Sequence, residues 1–438
     1  MRIRAPVVGL TCMVVSLSIG SAASSAEARP CTVVVEAGAS LQAAIEEAQT
    51  GSVICLGPGA HAGPITISKP ITLRGTEGKT RILGSPGDSI VVAIAGSDPV
   101  AVRLENLEVE ANTTYAIHVV GTPTVTLEGV GISKATSGGL WVEGAAVVTV
   151  HKCVLSESNG PNAEQSSFGW GVVVTGEANV DLEECLITEN ASGGLAAGSS
   201  KVKLTDCTLT GNEYWGLTAD GHAAVTVARS RVSGNGVGGL QLWGQATLEV
   251  AESEVSDNRY GGVSTGSGPA ALASKDAPSL SLVSSRLARN GVGIEVGRVT
   301  RVVAEGCEIV GNRWAGVSAF TSATVRLSAC LIEGNEVGIT ATDTCAVTCA
   351  GCTISDNRWD GINVTKAANL DLRDSEILRN GGYGIRASSR ACCPWEGRAR
   401  WSVGEVTGAN NLIPGRPAAD ANGEGTVCPG RLEFLRRH

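Results

Sequence analysis

Four aromatic residues recur at one place in a repeating pattern: Tyr214, Tyr260, Trp314 and Trp359 each stand two residues after an Asn. In three of the four an Arg precedes the ring, at Arg259, Arg313 and Arg358, and the units between carry Val237, Val292 and Val337 in the ring's place. Aromatic faces stack on sugar rings, and guanidinium groups pair with carboxylates or sulfates. The chemistry this column offers is recognition of a polysaccharide, an acidic one above all. Phe168 and Trp170 sit by an insertion at the same corner, where they wall such a groove. If the units stack as neighbouring strands do, about 4.8 Å apart, alternate rings stand about 9.6 Å apart, near the repeat of a disaccharide in an extended glycan. A competing reading needs no ligand: large rings and Val alternate to pack a turn edge, with each Arg lying over the next ring.

Metal chemistry finds little support. Cys345, Cys349 and Cys352 have zinc-like spacing but no fourth Cys or His nearby. Copper is poorly served by 5 His and 2 Met. Asp181, Glu183, Glu184 and Asp206 fall on adjacent units and form the one candidate Ca²⁺ cluster, although an outward charged face predicts the same residues. No cofactor is identified.

These residues are positioned by a repeat. The segments Glu184 to Asn190, Asp206 to Asn212 and Ala329 to Asn335 superpose, and the frame continues through Ser230, Ser253, Ser285, Cys307, Cys352 and Ser375 in steps of 22 or 23 residues. The steps Cys153 to Cys185 and Ser253 to Ser285 are about nine residues longer and mark loop insertions. Each unit holds a Gly-aliphatic pair and a segment of alternating apolar and polar residues, such as Val225-Thr226-Val227. Three short strands per unit follow, with turns too short for crossover helices. The expected fold is all-β: a right-handed parallel β-helix, a solenoid of coils of about 22–23 residues, with a short N-terminal capping helix. In it the Asn column is a turn, since Asn tolerates the left-handed conformation and stacked amides bond from coil to coil. Cys153, Cys185, Cys207, Cys307, Cys330 and Cys352, joined by Cys349, are small inward residues with free thiols. Arg231, Glu254, Arg286 and Glu308 form an outward ion-pair ladder of alternating sign.

Composition agrees: 57 Gly and 3% aromatics in 438 residues suit short strands and tight turns. Residues 1–28 read as a signal peptide, with Arg2 and Arg4, an apolar run from Val7 to Gly20, and Ala26-Glu27-Ala28 as the cleavage site. No later stretch of 18 apolar residues exists to span a membrane. A secreted or periplasmic, monomeric protein is expected. Without the leader, 32 basic and 42 acidic residues remain, which argues against nucleic acid as a partner. Residues 29–59 form an N-terminal cap, 60–390 the coils and 391–438 a C-terminal cap or tail. In the first cap Ser40, Leu41, Ala44, Ile45 and Ala48 mark a short helix flanked by Cys31 and Cys55, a plausible disulfide in an oxidising compartment. Cys392, Cys393 and Cys428 allow one more bridge, whose pairing stays open.

The stretch Ser40 to Ile45, then Ile54-Cys55-Leu56-Gly57-Pro58-Gly59, then Ile65 to Gly75, resembles the opening segment of bacterial right-handed β-helix proteins of the pectin-lyase-like superfamily. One departure is His61, where that family has Tyr; it reads as a rim residue of the first coil. The resemblance implies the fold over nearly the whole mature chain but not one activity, because the family includes lyases, hydrolases, epimerases and silent surface proteins. A hydrolase of this kind implies paired Asp with nearby His and Arg, and an epimerase implies Asp-Pro-His; the chain has neither. The remaining enzymatic reading is a polysaccharide lyase, which needs only an Arg or Lys base and a cation such as Ca²⁺. The alternatives are therefore a glycan binder, a non-catalytic structural or adhesive protein, and a lyase.

Overall fold

The computed structural model describes residues 29–85, 87–96, 100–159, 169–265 and 277–387, with the backbone of two further strands, Val406–Ala409 and Gly425–Val427. The leader, Phe168, Cys392, Cys393 and Cys428 lie outside the described residues. From Cys31 onward the chain winds through three parallel sheets of 16, 14 and 15 strands.

One coil shows the logic. Ala224–Ala228 lies in the first sheet, Arg231–Ser233 in the second and Gly238–Leu242 in the third. Val225, Val227, Val232, Leu240 and Leu242 are buried, and all but Leu242, which meets Thr265 on one side, have an aliphatic partner in both adjoining coils. Each such side chain contributes about 1.5–3 kcal/mol by leaving water, and the stack merges them into one continuous core.

The corners depart from expectation in one respect. The positive φ falls on the residue before the ladder Asn, as at Glu189, Asp257, Arg289, Asp356 and Arg379, or on Gly211 and Gly234. The Asn itself turns inward and is buried. Asn212 Nδ2 donates to Asn235 Oδ1 at 3.0 Å, and Asn235 Nδ2 donates to Asn258 Oδ1 at 2.9 Å. The relay runs from Asn190 to Asn380. Each Oδ1 also accepts a backbone N–H from the preceding coil, as Asn235 does from Asn212 at 3.1 Å. The amide thus satisfies donors that the turn would bury, and being small and doubly functional matters more than tolerating the left-handed region. The neighbouring Gly column is set by contact: a Cβ on Gly338 would stand 2.3 Å from the Gly361 carbonyl and 2.9 Å from Asn357 Nδ2.

The other inward column behaves as expected. Cys153, Cys185, Cys207, Cys307, Cys330, Cys349 and Cys352 are buried free thiols, and Cys345 joins them. Where Ser replaces Cys its hydroxyl takes the next backbone N–H, as Ser230 does from Cys207 at 3.0 Å. Burial pushes the Cys345 thiol up to about 11, and the adjoining Cys153 thiol with burial pushes Cys185 up to about 12. These buried thiols are packing groups, and Cys185 and Cys345 stay protonated at neutral pH.

The helix spans Leu41–Glu47, with Ser40 Oγ accepting the Ala43 N–H and Leu41 and Ile45 buried in the core. Cys31 and Cys55 are joined by a disulfide. His61 corrects its expected place on the rim: it is fully buried in Gly59–Ala62, with Nε2 2.9 Å from the Gly57 carbonyl and Nδ1 without a partner. An inward strand position takes the ring out of water whatever its polarity.

Candidate functional site

The aromatic corner leads into the third sheet and is held by backbone alone. Val237 N–H donates to Tyr214 O, Tyr260 N–H to Val237 O and Val292 N–H to Tyr260 O, all at 2.7 to 2.8 Å, so the rings ride on an unbroken ladder. Tyr214, Tyr260, Trp314 and Trp359 are 37%, 45%, 47% and 48% exposed. The guanidinium carbons of Arg259, Arg313 and Arg358 lie 5.4, 5.6 and 5.8 Å from the ring centroids of Tyr260, Trp314 and Trp359. Each Arg covers the ring of its own sequence neighbour, at cation–π range. Arg313 also donates to the Arg259 carbonyl, and Trp359 Nε1 donates to Glu336 at 3.2 Å.

The ring spacing corrects the stacking argument. Tyr260 and Trp314, two coils apart, have centroids only 6.0 Å apart at an interplanar angle of 37°. The reason is Gly291 between them, where an added Cβ would stand 2.6 Å from the Trp314 ring. With no side chain in the way, the indole leans across the intervening coil. With this tilted pair in it, the column is not an even ruler with a disaccharide pitch.

Trp170 also differs from its expected place. It is 8% exposed and opens the strand Trp170–Thr175, one residue past the corner. It belongs to a second alternation that sequence reading missed. Tyr115, Gly138, Trp170, Gly193, Trp215 and Gly238 stand in register in the third sheet. Trp170 lies over Gly193 and Trp215 over Gly238, where an added Cβ would come within 2.5 and 2.1 Å of the indoles. Alignment on the Gly-aliphatic pair, one residue later, carries the signal.

These rings frame a cleft of about 380 Å³ on the outer face of the third sheet. Gly193–Gly198 presents only Gly193, Ala196 and Gly198 outward, which leaves a trough. Trp170, Tyr214, Trp215 and Trp243 stand around it, with Thr175, Ser192, Thr218, Asp220 and Gln241 as its polar residues. Nearer the N-terminus the same face carries Tyr115, Trp141, His118 and Glu143. The Tyr115 and Trp141 rings meet edge to face at 4.8 Å, and His118 Nε2 lies 3.2 Å from Glu143 Oε1. Burial, then the Glu143 charge, raises the Tyr115 hydroxyl above its ordinary value.

Three of the four acidic residues weighed for Ca²⁺ stand beside Lys or Arg side chains. Asp181 lies 3.7 Å from Lys203, Asp206 2.9 Å from Arg229, and Glu184 3.9 Å from Lys152. Among the described residues no group of three or more His, Cys, Asp or Glu is arranged to hold a metal ion. Arg231, Glu254, Arg286 and Glu308 stand in register, with Arg231 paired to Glu254 at 3.2 Å and Arg286 paired to Glu308. No helix among the described residues is long and apolar enough to cross a membrane.

No curated protein matches the chain. Solved structures with a similar course include the periplasmic alginate epimerase AlgG, at 10% identity over 87% of this chain and 84% of that one, with a TM-score of 0.47. The A-module of the Azotobacter vinelandii mannuronan C-5 epimerase AlgE4 aligns at 15% identity over 85% and 92%, with a TM-score of 0.43. Pectate lyase Pel9A aligns at 14% over 68% and 74%, with a TM-score of 0.38. Likeness at this level concerns the fold alone. Residues 89–255 and 253–395 match the family described as the right handed beta helix region, and with its three parallel sheets wound over the same span the protein belongs to that family.

Proposed function

We propose that the protein is a secreted or periplasmic binder of an extracellular polysaccharide, contacted through the Arg/aromatic corner. One observation carries the reading: Tyr260, Trp314 and Trp359 expose nearly half their surface along one edge, each with a guanidinium at its ring. Soluble proteins seldom leave indoles so bare without a partner. A guanidinium packed on a ring still has further N–H groups to offer a carboxylate or sulfate, which is why an acidic glycan is the favoured class. Localisation outside the cytoplasm rests on the leader-like residues 1–28.

A carbohydrate array probed with the parent protein and with Trp314→Ala and Trp359→Ala tests this. Binding of an acidic glycan by the parent, weakened in both variants, is the expected result; no binding by the parent, or equal binding by all three, overturns it. A second reading has its own support: with each Arg already packed on a ring, the corner also makes sense as the edge of a non-catalytic structural rod. Equal binding by all three proteins, or none, favours that rod.

A further inference from the structure

The cleft on the third sheet has a chemistry unlike the corner's. Among the described residues four aromatic rings stand around it, and Asp220 is the only charged residue in its lining. Asp220 Oδ1 accepts the Gly221 N–H at 2.6 Å, and among the described residues no Lys or Arg pairs with its carboxylate. Gln241 adds an amide on the same side, and Ala196 with Gly198 keeps the floor low.

From these features we infer that the cleft is a second binding site, for uncharged sugar rings. A sugar has C–H faces that stack on indoles and a rim of hydroxyls that need acceptors, and the cleft supplies the two together. A wholly apolar occupant would strip water from Asp220 and leave its charge without a partner. A uronate or sulfate would bring a second negative charge against it with no cation to offset either. A hydroxyl donating to the Asp220 carboxylate makes a charge-assisted bond, the strong kind. The site therefore selects against the acidic glycans that the corner favours. It does not depend on that reading: Tyr214 of the corner column also lines the cleft, but Arg259, Arg313, Trp314 and Trp359 all lie outside it.

The test is calorimetric titration, with tryptophan fluorescence, of the full chain with cellohexaose, mannohexaose, maltohexaose and, as the acidic comparison, hexagalacturonate. At least one neutral hexaose binds and hexagalacturonate does not compete for the site. Trp243→Ala, which removes a ring already 38% exposed, weakens binding about tenfold, and Ala196→Phe, which fills the trough, abolishes it. Trp314→Ala leaves it unchanged, so loss of the corner's activity and loss of the cleft's are read separately. Thermal melts of each variant show that the fold persists. The inference is overturned if none of the neutral hexaoses binds, if hexagalacturonate binds in the cleft as tightly as they do, or if Trp243→Ala and Ala196→Phe bind like the parent. It is equally overturned if Trp243→Ala abolishes a concentration-dependent self-association, since the occupant would then be a second copy of the chain.

Discussion

Two aromatic columns run side by side on this solenoid, both with a ring in every second coil, and their environments differ. In the Tyr115, Trp170, Trp215 column the intervening coils offer Gly138, Gly193 and Gly238, so the indoles lie down on the neighbouring backbone. In the Tyr260, Trp314, Trp359 column, at the corner one residue earlier, the intervening coils offer Gly291 and Glu336, while Val292 and Val337 fall in line with Gly261 and Ala315, and the rings stand out, 45 to 48% exposed. An aromatic residue on this solenoid is packing or contact surface according to where on the coil it stands, on the sheet or at the corner, as well as to the residue one coil away. Trp314 shows both tendencies at once, leaning over Gly291 beside Val292.

The largest expected effect comes from making one deletion in both columns. Trp170→Ala removes a ring 8% exposed and should cost about 3 kcal/mol, while Trp314→Ala should cost under about 1 kcal/mol. Urea midpoints compared at equal slope measure the contrast, and equal losses would erase the distinction between the columns. Next, Gly238→Val takes away the glycine on which Trp215 lies. With 2.1 Å available between a Cβ and the Trp215 ring, the indole must leave its seat, at a cost of about 2 kcal/mol and with a red-shifted fluorescence emission. Arg313→Ala should cost about 0.5 kcal/mol, the value of an exposed cation–π pair, and make the Trp314 ring more accessible to iodide quenching.

The smallest effect is electrostatic and belongs to the scaffold that both columns share. Arg379 holds the Asp356 carboxyl, and Arg289 that of Asp257, below the usual aspartate range. A carboxyl with a depressed folded pKa stabilises the fold above its unfolded value, and that stability is lost as pH falls through the folded one. Asp356→Asn should therefore lower the melting temperature slightly at pH 7 and not at about pH 2. The difference is worth less than about 0.5 kcal/mol because the pair is exposed.

Much of this was legible in the sequence, since a repeat lets each coil corroborate the next. The step of 22 or 23 residues, the inward Cys/Ser column, the Arg231 to Glu308 ion pairs and the Cys31–Cys55 bridge all follow from spacing and residue type. What escaped depends on geometry finer than register. Register places Tyr260 and Trp314 two coils apart, but side-chain lean decides that their rings meet at 6.0 Å. Asn at a turn is a left-handed signal by propensity, yet here a buried amide is worth more to the backbone than a relaxed dihedral angle. Trp215 and Trp243 carry no neighbouring charge to draw notice, and the cleft between them exists because one coil, Gly193–Gly198, lacks outward bulk.

The asparagine relay makes successive coils interchangeable: Asn235 receives from Asn212 the same bonds that Asn258 receives from Asn235. Length is thus a free variable of the scaffold, adjustable by one coil with all rungs still satisfied. The rings obey a different count, one for every two coils. Excising a single coil would keep the relay's rungs but throw the surface pattern out of phase, setting ring against ring, whereas excising two would restore it. The fold tolerates any whole number of coils, and the surface it displays is sensitive to whether that number is odd or even.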